Sequence, residues 1–199
     1  MKEMERALRG LRVPDEDVQR AVARLVREAD ADVDVGFAEV DSPFGRLLVA
    51  VTSRGLLRLA YPDQKPDRVL EEVADRVSPR ILRAPARTDA IVRQLGEYFE
   101  GDRLRFDVPV DWSLTGGFGR KVLRTTARIP YGDVRTYGQV ATGAGSPRAY
   151  RAAGNALGAN PIPIVVPCHR VVQVGGRLGG YTGGVERKEF LLRLEGALD

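Results

Sequence analysis

Residues 137–158 read YGQVATGAGSPRAYRAAGNALG, and their pattern decides the fold of the half of the chain that contains them. A short helix is predicted over Tyr137–Ala141, started after Thr136. Gly-Ala-Gly-Ser-Pro then turns the chain sharply, with Ser146 as the N-cap of a second helix and Pro147 at its first position, where a missing N–H is harmless. Two short helices joined by a Gly-rich turn, the second of them basic, outline a helix-turn-helix. In that second helix the side chains other than Arg148, Tyr150, Arg151, Asn155 and Leu157 are tiny, so its backbone can approach closely whatever it faces. Arg148 and Arg151, three residues apart, share a face. Small residues also serve tight packing against a neighbouring helix, but a helix edged with arginines suits a nucleic-acid groove better than a core.

The charge distribution is compatible with that reading. Residues 1–111 hold 19 Lys/Arg against 22 Asp/Glu, whereas residues 112–199 hold 12 against 5, so a net +4 hides a basic second half. Asp133 is the only acid between residues 112 and 180. Such a surface attracts a polyanion, nucleic acid being the commonest, although a merely solvated basic face has the same composition.

Before this half, the stretch from Phe37 to Pro62 alternates β-rich runs with Ser-Pro-Phe-Gly and Ser-Arg-Gly turns, which predicts a small antiparallel meander. Helices are expected near residues 66–77 and from a Thr88 cap to Gly101, the latter aligning Ile91, Leu95 and Tyr98. Residues 105–117 read as an extended connection. Beyond it a helix is expected over 118–128, and another from near Val185 to Gly196. Residues 14–29 form an amphipathic helical pattern of their own, with Val18, Val22, Leu25 and Ala29 on one face. The expected class is therefore α+β. An N-terminal helical extension (1–33) precedes an α/β domain with a small antiparallel sheet (34–111), then a mainly helical, winged-helix-like domain carrying the helix-turn-helix (112–199).

Within 162–172, IPIVVPCHRVV, stand the only cysteine and the only histidine of the 199 residues, Cys168 and His169. One cysteine cannot form an internal disulfide, and the two residues together cannot furnish a structural zinc site, so neither metal nor cofactor is expected. No apolar run approaches the roughly 20 residues that cross a bilayer, and a cytoplasmic protein without membrane contact is expected. A free thiol has a pKa of about 8.5, so a nucleophilic role needs a positive group or a hydrogen bond to lower it, with His169 and Arg170 as candidates. Neighbours in extended chain point to opposite sides, which favours a water between Cys168 and His169 over direct contact. By itself, a lone cysteine after an apolar run such as Ile164-Val165-Val166 is most often inert core.

The context of that cysteine adds more. NPIPIVVPCHRVV followed by GGYTGGVERKEFLLRLEG strongly resembles the active-site region of the O6-alkylguanine-DNA alkyltransferases, and the likeness extends through IPYGDVRTYGQVA and SPRAYRAAGNALGANP to cover residues 37–197. The resemblance implies repair of double-stranded DNA by single-turnover transfer of an alkyl group from O6-alkylguanine, with O4-alkylthymine as a further candidate, after minor-groove binding and base flipping. It implies Cys168 as nucleophile, His169 as its base through water, Glu195 orienting that histidine, and Tyr137 as proton donor to the leaving base. Arg151 matches the finger that replaces the flipped nucleotide, with Arg148, Tyr150 and Asn155 beside it on the DNA-facing helix. Asn160 matches the asparagine bracing the turns before the active site, and Pro163, Val171, Thr182 and Gly183 match positions lining the base pocket.

Glu195 has separate support, because an anion in the last turn of a helix opposes the dipole and a bond to an imidazolium would offset that. Gly119 and Tyr150 depart from the family pattern, the first lacking a polar side chain and the second being bulky. Two rival readings are a non-catalytic DNA-binding protein, opposed by the presence of Cys168, and a thiol hydrolase, opposed by the adjacency of cysteine and histidine.

Overall fold

A computed structural model describes residues 33–198; the helix expected over 14–29 lies outside them. The first described elements are three antiparallel strands, β1 (Val35–Val40), β2 (Leu47–Thr52) and β3 (Gly55–Ala60). The meander expected from the sequence is thus present. A fourth strand, β4 (Ile81–Arg83), pairs parallel to β1 and gives the order β3-β2-β1-β4. Sequence pattern missed it, because three largely exposed residues are too few to display a period of two.

Strand β2 reads LLVAV because both its faces are covered. Leu47, Val49 and Val51 join the main core, while Leu48 and Ala50 belong to smaller clusters with Val69 and Val73 of helix α1 (Pro66–Arg76). Helix α2 (Pro85–Phe99) adds Ile91, Leu95 and Tyr98 to the main core. It begins three residues before the expected cap: Ala84 is the N-cap, and the buried Thr88 hydroxyl donates to Pro85 O inside the first turn (2.9 Å). Pro85 supplies the start instead, its ring preset for the first helical position.

The connection over 105–117 ties back to the sheet through Leu56 N–H donating to Pro109 O (2.8 Å). Gly55 is required there, since it has φ +124° and a Cβ would lie 2.2 Å from the same carbonyl oxygen. Helix α3 (Gly117–Thr126) follows, then β5 (Arg135–Thr136) and α4 (Tyr137–Gly143). Thr136 and Gln139 form a reciprocal capping box at the start of α4, in agreement with the expected start.

Helix α5 (Tyr150–Gly158) begins later than expected, with Ala149 as its N-cap. Ser146 does not cap it. Its carbonyl accepts from Ala149 N–H (2.9 Å), so Ser-Pro-Arg-Ala makes a turn before the helix and leaves Arg148 outside the helix that carries Arg151. β6 (Val171–Val172) pairs parallel to β5, and α6 (Val185–Leu194) ends with Glu195 as C-cap and Gly196 at φ +68°.

Residues 35–199 make one unit. One core runs from Val49 and Leu59 of the sheet through Val122, Ala153 and Val166 to Cys168 and Leu191. The sheet grips the segment before the cysteine: Leu59 N–H and Arg58 Nη1 both donate to Pro161 O (2.9 and 3.0 Å). Among the described residues no helix is long and apolar enough to cross a membrane.

Candidate active site

The segment from Asn160 to Arg170 is buried almost throughout, and its backbone is held in an unusual course. Ile164, a β-branched residue, adopts φ +72°, a conformation that costs of order 1–3 kcal/mol and persists only where the surroundings impose it. Asn160 is one of those restraints. Its Oδ1 accepts from Ile162 N–H (3.0 Å) and its Nδ2 donates to Val166 O (2.8 Å), tying two points of the segment together. The same Nδ2 lies 3.1 Å from Cys168 Sγ, so Asn160 also donates to the sulfur.

Cys168, His169 and Arg170 form one 3-10 turn, not the extended stretch the sequence suggested. All three are buried. His169 Nε2 lies 2.9 Å from Glu195 Oε1; an ionised carboxylate can only accept, so Nε2 carries the proton and Nδ1 holds a lone pair. Nδ1 is buried and has no partner among the described residues. Glu195 also receives Tyr98 Oη (2.6 Å) and two Arg170 nitrogens, Nε and Nη2 (2.8 Å each). Burial opposes its ionisation, but the hydrogen bonds and charge of His169 and Arg170 hold its carboxyl at about 2. Burial lowers the His169 pKa against the raising influence of Glu195, so the ring is neutral near pH 7.

Sequence reasoning missed Tyr98 and Arg170 as parts of this cluster. Tyr98 read only as the core-facing member of a helical stripe, whereas Arg170, adjacent to the histidine, was a visible cation whose partner was not.

A lowered thiol pKa was the sequence requirement for a nucleophile, and the free protein departs from it: Cys168 is pushed up to about 11. Burial of Cys168, only 4% exposed, desolvates the thiol and outweighs the Asn160 and Thr182 hydrogen bonds and the Lys188 charge. Lys188 is fully buried, donates to the carbonyls of Val171 (2.6 Å) and Leu178, and is lowered to about 8 by the same desolvation.

Cys168 nonetheless borders a cavity of about 350 Å³, walled by Tyr137, Gly154, Gly180, Tyr181 and Thr182 with Leu157 and Gly158 of α5. Tyr137 Oη donates to Gly180 O (3.4 Å), and burial together with the nearby sulfur raises its pKa, so it keeps its proton. Thr182 Oγ1 caps the end of α5 by donating to Leu157 O and Gly158 O (3.1 Å each). Of the four expected pocket residues Thr182 alone lines this cavity. Pro163 and Val171 are buried elsewhere in the core, and Gly183 is packed where a Cβ would lie 2.6 Å from the Tyr61 ring.

Helix α5 buries Ala153 and Leu157 and exposes Arg151, Ala152, Asn155 and Gly158, so its small side chains face outward as well as inward. Arg151 lies over the Tyr150 ring, its guanidinium carbon 5.7 Å from the ring centre, and Tyr150 is half exposed. Arg148 is exposed in the preceding turn. Gly119 faces Ala156 at an ordinary contact distance. No group of three or more His, Cys, Asp or Glu able to hold a metal occurs among the described residues.

Two family models match the chain: the 6-O-methylguanine DNA methyltransferase ribonuclease-like domain over residues 37–112 and the DNA binding domain of the same family over 117–197. A methylated-DNA–protein-cysteine methyltransferase of Mycolicibacterium paratuberculosis is 43% identical over 164 residues, covering 81% of this chain and 92% of the relative. One from Methanosarcina barkeri is 40% identical, covering 78% and 94%. The crystal structure of Mycobacterium tuberculosis O6-methylguanine methyltransferase superposes with a TM-score of 0.69 at 39% identity, over 83% of this chain and 94% of that one. The Mycobacterium tuberculosis protein solved in complex with DNA gives 0.70 at 39% identity, over 81% and 93%. With both halves matched in order and the lone thiol set beside a neutral histidine and a bound glutamate, this chain belongs to the 6-O-methylguanine DNA methyltransferase family.

Proposed function

We propose that this chain repairs O6-alkylguanine in double-stranded DNA by moving the alkyl group irreversibly onto Cys168. The observation that carries the reading is the position of Cys168, which borders a cavity between Tyr137 and the end of α5 and is followed in the chain by the His169 that Glu195 holds. A guanine inside a duplex cannot reach such a sulfur. The nucleotide must be flipped out, at a cost of a few kcal/mol in stacking and pairing. Arg151, exposed on α5 beside the half-exposed Tyr150, fills the vacated place in the stack and offsets part of that cost, and the basic half of the chain neutralises phosphates.

With the base in the cavity, sulfur attacks the alkyl carbon as the carbon–oxygen bond breaks. The thiol proton passes through a water to His169 Nδ1, whose acceptance of it is stabilised by the Glu195 carboxylate already bonded to Nε2. Because the free thiol sits at about 11, deprotonation belongs to the loaded site, where transfer to a neutral imidazole accompanies attack. Tyr137 gives its proton to the departing guanine ring, so negative charge does not accumulate there. The products are an S-alkylcysteine and an unmodified guanine. A thioether has no easy leaving route, and the chain has no second cysteine to resolve it, so each molecule reacts once.

Incubation with a duplex holding one O6-methylguanine, followed by mass analysis of the peptide containing Cys168, tests this directly. One methyl per protein at that peptide is expected, lost in Cys168→Ser, which still binds DNA. Arg151→Ala should bind more weakly and repair the duplex poorly. An unmodified Cys168 beside excess lesion would overturn the proposal, and normal duplex repair by Arg151→Ala would remove the finger from it.

A further inference from the structure

One wall of the thiol cavity is anchored from the opposite half of the molecule. Tyr181 borders the cavity with Cys168, and its hydroxyl lies 2.7 Å from that of Tyr61, which follows directly on β3 in the sheet. Tyr61 is 2% exposed and its ring is held on several sides. Phe44 meets it edge-on at 5.8 Å, and the Arg187 guanidinium lies over its face, 4.5 Å from the ring centre. Arg187 is itself fixed by Asp63 Oδ1 (2.8 Å) and Gly183 O (3.0 Å).

Gly183 makes this approach feasible. A Cβ there would fall 2.6 Å from Tyr61 Cε2 and 3.0 Å from Tyr181 Cε1, so the two rings occupy the volume that any other residue would need. Tyr61 therefore contributes no atom to the cavity surface but determines where the phenol that does so can stand. Both phenols have raised pKa values, in each case through burial first, with the charge of Cys168 also contributing, so both hydroxyls keep their protons and the bond between them persists at neutral pH.

We propose that Tyr61 is a specificity-determining positioning residue. By tethering Tyr181 through the hydroxyl pair, it fixes the width of the cavity facing Cys168 and so limits the size of the alkyl group that can reach the sulfur. This rests on the alkyl-transfer reading above. The tether is a single hydrogen bond between rings that are otherwise packed, so it can be removed without removing either ring. Without it, Tyr181 retains its volume but loses its fixed position, and the wall yields to a larger substituent.

The test is Tyr61→Phe, which keeps the contacts with Phe44 and Arg187 and deletes only the hydroxyl. Single-turnover rate constants are measured with two duplexes of the same sequence, one carrying O6-methylguanine and the other O6-benzylguanine, each normalised to reactive thiol. The ratio of benzyl to methyl transfer is expected to rise fivefold or more. Tyr181→Phe, which removes the other half of the bond, should raise it similarly, and the double variant should raise it no further. Loss of folded protein alone would lower both amplitudes and leave the ratio of rate constants unchanged. A ratio in Tyr61→Phe within twofold of the wild type, or below it, overturns the proposal, as does a shift confined to Tyr181→Phe. Failure of the alkyl-transfer reading itself is distinguishable, because the wild type would then transfer neither group.

Discussion

Replacing Glu195 with glutamine tests the cluster behind the thiol most directly. Four donors converge on this carboxylate: Tyr98 Oη, His169 Nε2 and the Arg170 nitrogens Nε and Nη2. A glutamine offers one accepting oxygen, turns an amide NH2 toward groups that also donate, and strips the buried guanidinium of its counter-charge. Breaking a buried pair on one side costs about 3–5 kcal/mol. The pKa leads to a similar figure. A carboxyl held at about 2 rather than 4.5 contributes roughly 3 kcal/mol near neutral pH, at about 1.4 kcal/mol per pH unit. Since the folded value is the lower one, this stability is fully present above the unfolded pKa and drains away as pH falls from about 5 toward 2. Urea unfolding followed through the single tryptophan, Trp112, should therefore place Glu195→Gln about 3 kcal/mol or more below the wild type at neutral pH, with the gap narrowing in acid. A variant within about 1 kcal/mol of the wild type, or a gap that stays constant down to about pH 3, would refute the assignment of this cluster as a tightly coupled ion pair.

Asn160→Ala removes the partners of a buried N–H, a buried carbonyl and the sulfur, so a loss of about 2–4 kcal/mol is expected in the same unfolding assay. The pH profile of iodoacetamide alkylation should also shift upward, because one of the groups lowering the thiol pKa is gone. Gly183→Ala places a methyl group 2.6 Å from the Tyr61 ring, and overpacking of that kind should cost about 1–3 kcal/mol, seen as a lower melting temperature. Tyr137→Phe keeps the ring against Gly154 but loses the donor, so DNA binding should persist while single-turnover transfer slows about a hundredfold or more.

How far the sequence could be read depended on whether chain neighbours are also spatial neighbours. Thr136 and Gln139 announce the start of α4 because the capping box is closed within four residues, and Asn160, whose partners Ile162 and Val166 lie just beyond it, announces from its own residues only the turn that Asn-Pro marks. Ser146 shows the limit of the same reasoning. Ser-Pro is sound cap chemistry, yet the serine carbonyl is committed to Ala149 N–H, and the helix starts after that turn instead of at it. Tyr98 is a harder case: it stands 97 residues from the glutamate it bonds, and its spacing with Ile91 and Leu95 marks it as core whether or not its hydroxyl has work to do.

The thiol shows the limit of local reading most plainly, because the cations next to it in the chain are not the groups that set its protonation. His169 and Arg170 do follow Cys168 directly, but both are turned to Glu195, and the influences that lower the thiol pKa are Asn160, Lys188, the cysteine's own backbone and Thr182. Against them stands desolvation, the largest influence on the group; the apolar run IPIVV hints at that burial, but its extent is set by the sheet and helices that complete the core around Cys168. A resting thiol at about 11 beside a neutral histidine is suited to a protein that can react only once. In the proposed transfer, nucleophilicity arises as His169 takes the thiol proton and sulfur attacks the alkyl carbon, so burial of Cys168 and reaction at it are compatible.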